Sequence, residues 1–556
     1  MIFLALADSI AGAARFLFIC LEVVLIFNLL IIVHEVGHFL AARWRGLYVE
    51  GFGIWFGKAL WKKKINGVTY SLGSIPAGGF VKLPQMAPMD AIEGSSEMPP
   101  EAMKPITPLD KIIVAAAGPV FSLGLAFAFA IIVWIVGRPV SEAEGTTTIG
   151  FVMPGGAGEK AGLKAGDEIL EIDGHKVTRF GGQSSDAVVW RIVRSEGETL
   201  PIKVQRDGQV LDIVTTPEIP QTKFWQRKGM RQLQIAPKFT PVIARIQPNT
   251  PASEAGILPN DQLLEVNGQR IFSEGTISDY AVDHPGEALV LTVERSGEQL
   301  KVPFAARGPL VGQTFKNSPA EIAGLKPGDR VTGVNSVATP FPEMVATELR
   351  KADGGPVTLQ VERGSEKLSV TVTPAVPIDE KAPRIGIAWA NGDGMIFDSY
   401  GKFKVIHPSP LEQVRAGFTQ IFQTIAAVAS PKSDIKLQHM GGPVAMMRIY
   451  YMLFESEQGW RLALWFSVVL NVNLALMNMF PIPVLDGGHI TFAIIEAIRR
   501  KPVNTRALEI VNTAAAMLVI GFMLFVTMFD VQDLFGGGKR AEMRFAAPSA
   551  QSAKPQ

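Results

Sequence analysis

Three residues within one helical turn carry the strongest chemical signal in this sequence. His34, Glu35 and His38 form the pattern His-Glu-x-x-His. On an α-helix, residues four apart sit one turn above each other, about 40° apart around the axis. Both imidazoles can therefore reach one metal ion, and Glu35 can hold an attacking water from the same side. This is the equipment of a metal-dependent hydrolase, two imidazole ligands and a carboxylate base. The plainer reading is three polar residues satisfied within a helix core. The surroundings weigh against it. The motif sits inside the apolar run from Phe16 to Ala42, between Arg15 and Arg43. Ionisable groups are expensive near lipid and as a rule functional there. Chelation lets the imidazoles stay neutral and gives the carboxylate a role.

A zinc site of this kind takes three protein ligands and keeps the fourth position for water. No third His follows in the same helix, so the third ligand must come from elsewhere. The segment NMFPIPVLDGGH (478–489) offers Asp486 as its one carboxylate. Pro481 and Pro483 break a helix beside it, and broken backbone at membrane depth is tolerated only when buried in protein or lining a cavity. Two alternatives stand: Asp486-Gly487-Gly488 as an ordinary interfacial turn, and His489 as a rival ligand beyond the glycines. The N/N/O donor set favours zinc, with cobalt and iron as alternatives.

The elements that must position these residues are membrane helices. Charged residues make up only 19% of the 556 residues, and mean hydropathy is +0.23. Apolar stretches run over 16–42, 112–136, 462–480 and 514–529. The last is the shortest against the ~20 residues a crossing needs. The first is too long for a signal peptide and has no small-residue cleavage site after it. Arg43, Arg45 and Lys58 to Lys64 follow the first helix, and Arg499, Arg500, Lys501 and Arg506 lie between the third and fourth. The positive-inside rule puts both loops in the cytoplasm and the long middle segment opposite; the carboxy terminus then also falls outside, which Lys539 and Arg540 weakly oppose. A net charge of +1 gives no basic field for nucleic acid. The single cysteine, Cys20, rules out an intramolecular disulfide and a Cys-rich metal site.

The middle segment repeats itself. PGGAGEKAGLKAGDEILEIDGHKV (154–177), PNTPASEAGILPNDQLLEVNGQRI (248–271) and KNSPAEIAGLKPGDRVTGVNSVAT (316–339) share one pattern, and each is followed some 40 residues later by a strand pair. Tandem copies of one small β-rich module are expected. Ser336 departs from the pattern, standing where the other copies have Gly174 and Gly268. The copies resemble PDZ domains of the bacterial protease type. Such a groove takes a peptide as an added strand; the alternative is a spacer or steric filter that binds none. Elsewhere, Asn66-Gly67 between two β-like runs signals a hairpin. Gly118, Ser122 and Gly124 suit close helix packing. LEQVRAGFTQIFQTIAAV (411–428) reads as an amphipathic surface helix. The motif GGPVAMM (441–447) has no role derivable from its residues.

HEVGH in the first apolar helix together with NxxPxPxLDGGH in a later one closely resembles the site-2 protease family of intramembrane zinc metalloproteases. The likeness is closer to its bacterial regulator of sigma-E protease group, and it covers essentially the whole chain. The resemblance implies one Zn2+ held by His34, His38 and Asp486, with Glu35 as general base and Asn478 holding substrate or the developing oxyanion. It implies a membrane-associated hairpin after the first helix that pairs with an unwound substrate. It also implies a multi-pass protein of the bacterial inner membrane that cuts single-span membrane substrates, such as an anti-sigma factor already trimmed by another protease, in a stress response. The PDZ-like region would be periplasmic, and the HExxH end and the 45–108 loop cytoplasmic. Three PDZ-like copies, where two are usual, are a departure that bears on the substrate gate. The fold class expected is a polytopic α-helical membrane protein with four transmembrane helices and an inserted β-rich tandem of PDZ-like domains. The parts expected are a first helix (1–44), a hairpin region (45–108), a second helix (109–137), PDZ-like copies (148–218, 237–306 and 307–376), a linker with a surface helix (377–459), a third helix (460–490), a fourth (508–530) and a disordered tail (536–556). Rival functions are a peptide-recruiting membrane scaffold, indifferent to Glu35→Gln, and a metal transporter, which would need acidic residues in several helices.

Overall fold

Among the residues described in this computed structural model, seven α-helices lie in the N- and C-terminal parts of the chain. The structure describes residues 2–536 apart from 87–104, 183, 224–225, 379–381, 399–402, 457, 502 and 504, together with 543 and 545. The expected disorder of 536–556 thus falls almost wholly outside the described residues. The chain divides into one unit of Met1–Pro139, Pro220–Met230 and Val405–Phe535, and another of Val140–Ile219, Arg231–Lys404 and Gly536–Gln556.

The first unit contains α1 (Ile2–Arg45), α2 (Pro108–Val136), α3 (Pro410–Ala429), α4 (Pro443–Glu455), α5 (Gly459–Asn478), α6 (Asp486–Arg499) and α7 (Thr505–Gly536). Among the described residues four helices are long and apolar enough to cross a membrane: Gly12–Arg45, Pro108–Val136, Gly459–Asn478 and Leu508–Leu534. The fourth, at 27 residues, is longer than its apolar core suggested, because polar flanking residues continue the helix. The expected third helix is two elements: α5 stops at Asn478, and α6 starts afresh at Asp486. Pro481 and Pro483 between them supply no backbone N–H to continue the ladder.

α2 opens with a capping box. Pro108 takes the first turn, the Thr107 hydroxyl accepts the Asp110 N–H, and the Asp110 carboxylate accepts the Thr107 N–H. Asp110 also accepts from Arg45 at 2.7 Å, tying the end of α1 to the start of α2. Lys111 bonds Glu496 at 2.7 Å and ties α2 to α6. α1 and α2 meet at Gly37, where a Cβ would lie 2.5 Å from the Ala117 carbonyl oxygen. Gly124, read from sequence as a packing glycine, has nothing within 4 Å of its missing Cβ. α3 is amphipathic: Val414, Gly417 and Ile421 are buried, while Leu411 and Phe422 are 72% and 59% exposed.

Strands β1 (Gly51–Phe56), β2 (Trp61–Ile65), β3 (Val68–Leu72) and β4 (Ile75–Lys82) form a sheet of order β2-β3-β1-β4. The β2–β3 turn puts Asn66 and Gly67 at φ 49° and 84°, the left-handed pair that two-residue hairpins need. Among the described residues β4 pairs only with β1, so no strand is paired to its other edge. The GGPVAMM segment acquires a role as well. Asp530 of α7 accepts the N–H groups of Gly442 and Ala445 at 3.0 Å each, capping α4 from another helix. Arg227 closes the clasp, donating to Asp530 at 2.6 Å and to the Gln438 carbonyl at 2.7 Å.

The second unit holds the three repeats. Each has an entry strand, a four-residue helix, a strand, a longer helix and a hairpin. In the first copy the hairpin is Leu200–Arg206 with Gln209–Thr215. Ser336 sits at φ 72°, beside values of 71° and 82° at Gly174 and Gly268, so the third copy accepts there a conformation that glycine adopts more easily. One strand of each copy lies beyond the sequence boundaries. Ile149–Val152 pairs with Ile235–Pro237, and Leu310–Thr314 with Ile387–Ala390. Ile243–Ile246 of the second copy pairs with Met395–Phe397, so the third copy is inserted within the second. The second copy's core accordingly includes Phe341, Met344 and Met395 beside its own Ile243, Leu263 and Leu291.

Candidate active site

Residues 444 apart in sequence meet where α1, α2 and the α5–α6 junction surround a cavity of about 520 Å³. His34, Glu35, His38, Asn478, Asp486 and His489 line it. The helical pitch of α1 sets the two imidazoles one turn apart and edge to face, with Nε2 atoms 3.2 Å apart. Asp486 stands in the first turn of α6, where the helix dipole favours an anion. The two glycines after it let α6 begin this close to the preceding loop. A Cβ on Gly487 would lie 2.3 Å from the Met479 and Phe480 carbonyl oxygens, and one on Gly488 2.4 Å from that of Ile482. Val484 adopts φ 82°, a strained conformation for a β-branched residue and one found where function over-determines the backbone.

The donor atoms converge. His34 Nε2 lies 3.2 Å from Asp486 Oδ2 and His38 Nε2 3.3 Å from Oδ1. A tetrahedral zinc bound at about 2.0–2.1 Å sets its ligand atoms roughly 3.3 Å apart, so these spacings suit the ion. Asp486 Oδ2 is buried without a hydrogen-bond donor. His38 Nδ1 is 2.8 Å from the Val114 carbonyl oxygen, an acceptor only, so this nitrogen carries the proton, and in the neutral ring Nε2 keeps its lone pair for a metal. Lone pairs and an anion gathered this closely repel one another unless a cation sits among them. His34, His38 and Asp486 are the one group of metal-ligating side chains close enough to share an ion among the described residues. His489 lines the cavity outside that group.

Glu35 sits beside the two imidazoles. Its carboxylate accepts the Val81 N–H of β4, and a Cβ on Gly79 would be 3.1 Å from Glu35 Cγ. β4 therefore runs along the cavity at the carboxylate. Asn478 closes the other side, its Nδ2 3.3 Å from His34 Nε2. Sequence reasoning took Gly118 and Ser122 for helix packing. That packing brings both against the imidazoles of α1, with Ser122 Oγ 3.0 Å from His34 Nδ1. Their spacing of four from Val114 along α2 was the available signal.

The model of peptidase family M50 matches residues 22–522. Among curated proteins, the chain is 26% identical over 508 residues to the protease RseP of Yersinia pestis, covering 90% of this chain and 95% of that one. It is 27% identical over 521 residues to the regulator of sigma-E protease RseP of Escherichia coli K12, covering 90% and 95%. It is 24% identical over 510 residues to a putative zinc metalloprotease of Vibrio cholerae, covering 90% and 96%.

Proposed function

Since the chain belongs to peptidase family M50, we propose that it is an intramembrane zinc metalloendopeptidase that cuts single-span membrane proteins. The observation that carries this reading is the convergence, within 3.3 Å, of Asp486 at the start of α6 on His34 and His38, which stand on a helix long and apolar enough to span a bilayer. His34, His38 and Asp486 would hold the ion. Zinc there supplies a Lewis acid that polarises the scissile carbonyl and lowers the pKa of the attacking water. The protein's own groups do the rest. The edge of β4 away from β1 takes the unwound substrate as an added strand, because a helical substrate hides its peptide bonds in its own hydrogen bonds. Glu35 takes the proton from water as its oxygen joins the carbonyl carbon, and returns it to the amide nitrogen as the C–N bond breaks. Asn478 Nδ2 donates to the developing oxyanion.

The finer reading follows the relatives named for sigma-E regulation. The substrate is an anti-sigma factor-like protein already trimmed outside the membrane, and the repeats act as a filter against bulky outer domains. The basic loops after α1 and after α6 support a cytoplasmic position for those ends and a periplasmic one for the repeats, in a bacterial inner membrane as the relatives suggest. The test is to purify the protein in detergent, measure bound metal and assay a single-span substrate. The expected results are about one zinc in wild type, metal retained without cleavage in Glu35→Gln, and both lost in Asp486→Ala. Metal-free wild type with no chelator-sensitive cleavage would leave a peptide-binding membrane scaffold as the better reading.

A further inference from the structure

α2 places three residues on one face at intervals of four, and all three meet the imidazoles of α1. The Val114 carbonyl oxygen lies 2.8 Å from His38 Nδ1, and Ser122 Oγ lies 3.0 Å from His34 Nδ1. Between them, Gly118 leaves a gap that the rings fill. A Cβ there would come within 2.2 Å of His38 Nε2 and 2.8 Å of His34 Cε1. Ser122 is wholly buried, and a buried hydroxyl in an apolar helix is kept when it has a partner. The helices run antiparallel here, so acceptor, gap and acceptor on α2 match His38 and His34 one turn apart on α1.

We propose that Ser122 is a positioning residue of the metal centre, accepting the His34 Nδ1 proton so that the Nε2 lone pairs of both imidazoles face Asp486, with the Val114 carbonyl doing the same for His38. Metal-bound histidines depend on such a partner at the other ring nitrogen for tautomer and orientation. Gly118 is the steric counterpart of this arrangement, since no larger residue leaves room for both rings. Were Ser122 instead the donor to Nδ1, His34 would carry its proton on Nε2 and be lost as a ligand. The two assignments therefore predict opposite effects of removing the hydroxyl.

This inference rests on the metallopeptidase reading, and the test separates the two. Zinc affinity is measured on the full-length protein in detergent by competition with a chelator of known affinity. The visible spectrum of the cobalt-substituted protein is recorded alongside. Ser122→Ala is expected to weaken zinc binding about 10–100-fold and to change the cobalt spectrum, while melting of the metal-free protein stays as in wild type. Ser122→Thr, which keeps the hydroxyl, restores both. Unchanged or tighter zinc binding in Ser122→Ala would overturn the proposal. Wild type that binds neither metal would instead overturn the reading beneath it.

Discussion

Three buried aspartates of the repeats and the partly buried Asp486 mark two kinds of site. In the repeats, Asp167, Asp261 and Asp329 each have a side chain only 1% exposed, facing Arg206, Arg295 and Arg363. Each receives a two-pronged guanidinium at 2.6–2.8 Å. Each also accepts the backbone N–H of the residue three before it at 2.8 Å. Asp486 has no such partners: two imidazoles stand near it, and one oxygen has no donor. A buried carboxylate whose charge is met in full holds a fold together. One whose charge is left open is holding a place for a ligand.

Neutralising each kind of carboxylate tests that contrast. The largest effect is expected at Asp486→Asn, where shape is kept and charge removed. Zinc affinity should fall more than ~100-fold, with the metal-free protein no less stable than wild type, read by chelator competition and melting. Loss of stability without loss of metal would dissolve the contrast. Asp261→Ala should do the reverse. It strands Arg295 and one backbone N–H, and should cost about 3 kcal/mol of local stability in the second copy, with metal content unchanged. Hydrogen exchange across Gln262–Val266 measures this, and wild-type protection there would mean the bridge is dispensable. The smallest effect concerns pH. Hydrogen bonding from Arg363 lowers the pKa of Asp329. Stability from that ionised group is complete above the unfolded value near 3.9 and lost as pH falls through the lower folded value. Exchange of Val357–Arg363 should accelerate on acidification below about pH 4, and Asp329→Asn should flatten that slope. An unaltered slope would assign the acid sensitivity to other groups.

What could be read in advance followed the range of the interaction. His34, Glu35 and His38 are set by one helical turn, so their spacing announces them. Asn66-Gly67 announces its own turn for the same reason. Asp486 needed its neighbours, two prolines that stop a helix and two glycines that let another begin. Ser122 was visible as a small residue, but its role depends on a histidine 88 positions away. The Asp–Arg bridges recur at separations of 39, 34 and 34, yet a repeat shows only that residues return, not that they touch. The closing strand of the second copy was illegible, since Met395–Phe397 is three apolar residues with no pattern of its own.

That last strand puts the second copy on a clock. Ile243–Ile246 leaves the ribosome roughly 150 residues before its partner Met395–Phe397, which at about 5–20 residues per second is a wait of roughly 7–30 s. During that interval Ile243, Leu263 and Leu291 lack Phe341, Met344 and Met395, which complete their core. The third copy, whose hairpin and helix are local, can form meanwhile and deliver those side chains. The second copy is therefore the last of the three to mature and the one most exposed to capture by chaperones or proteases during synthesis.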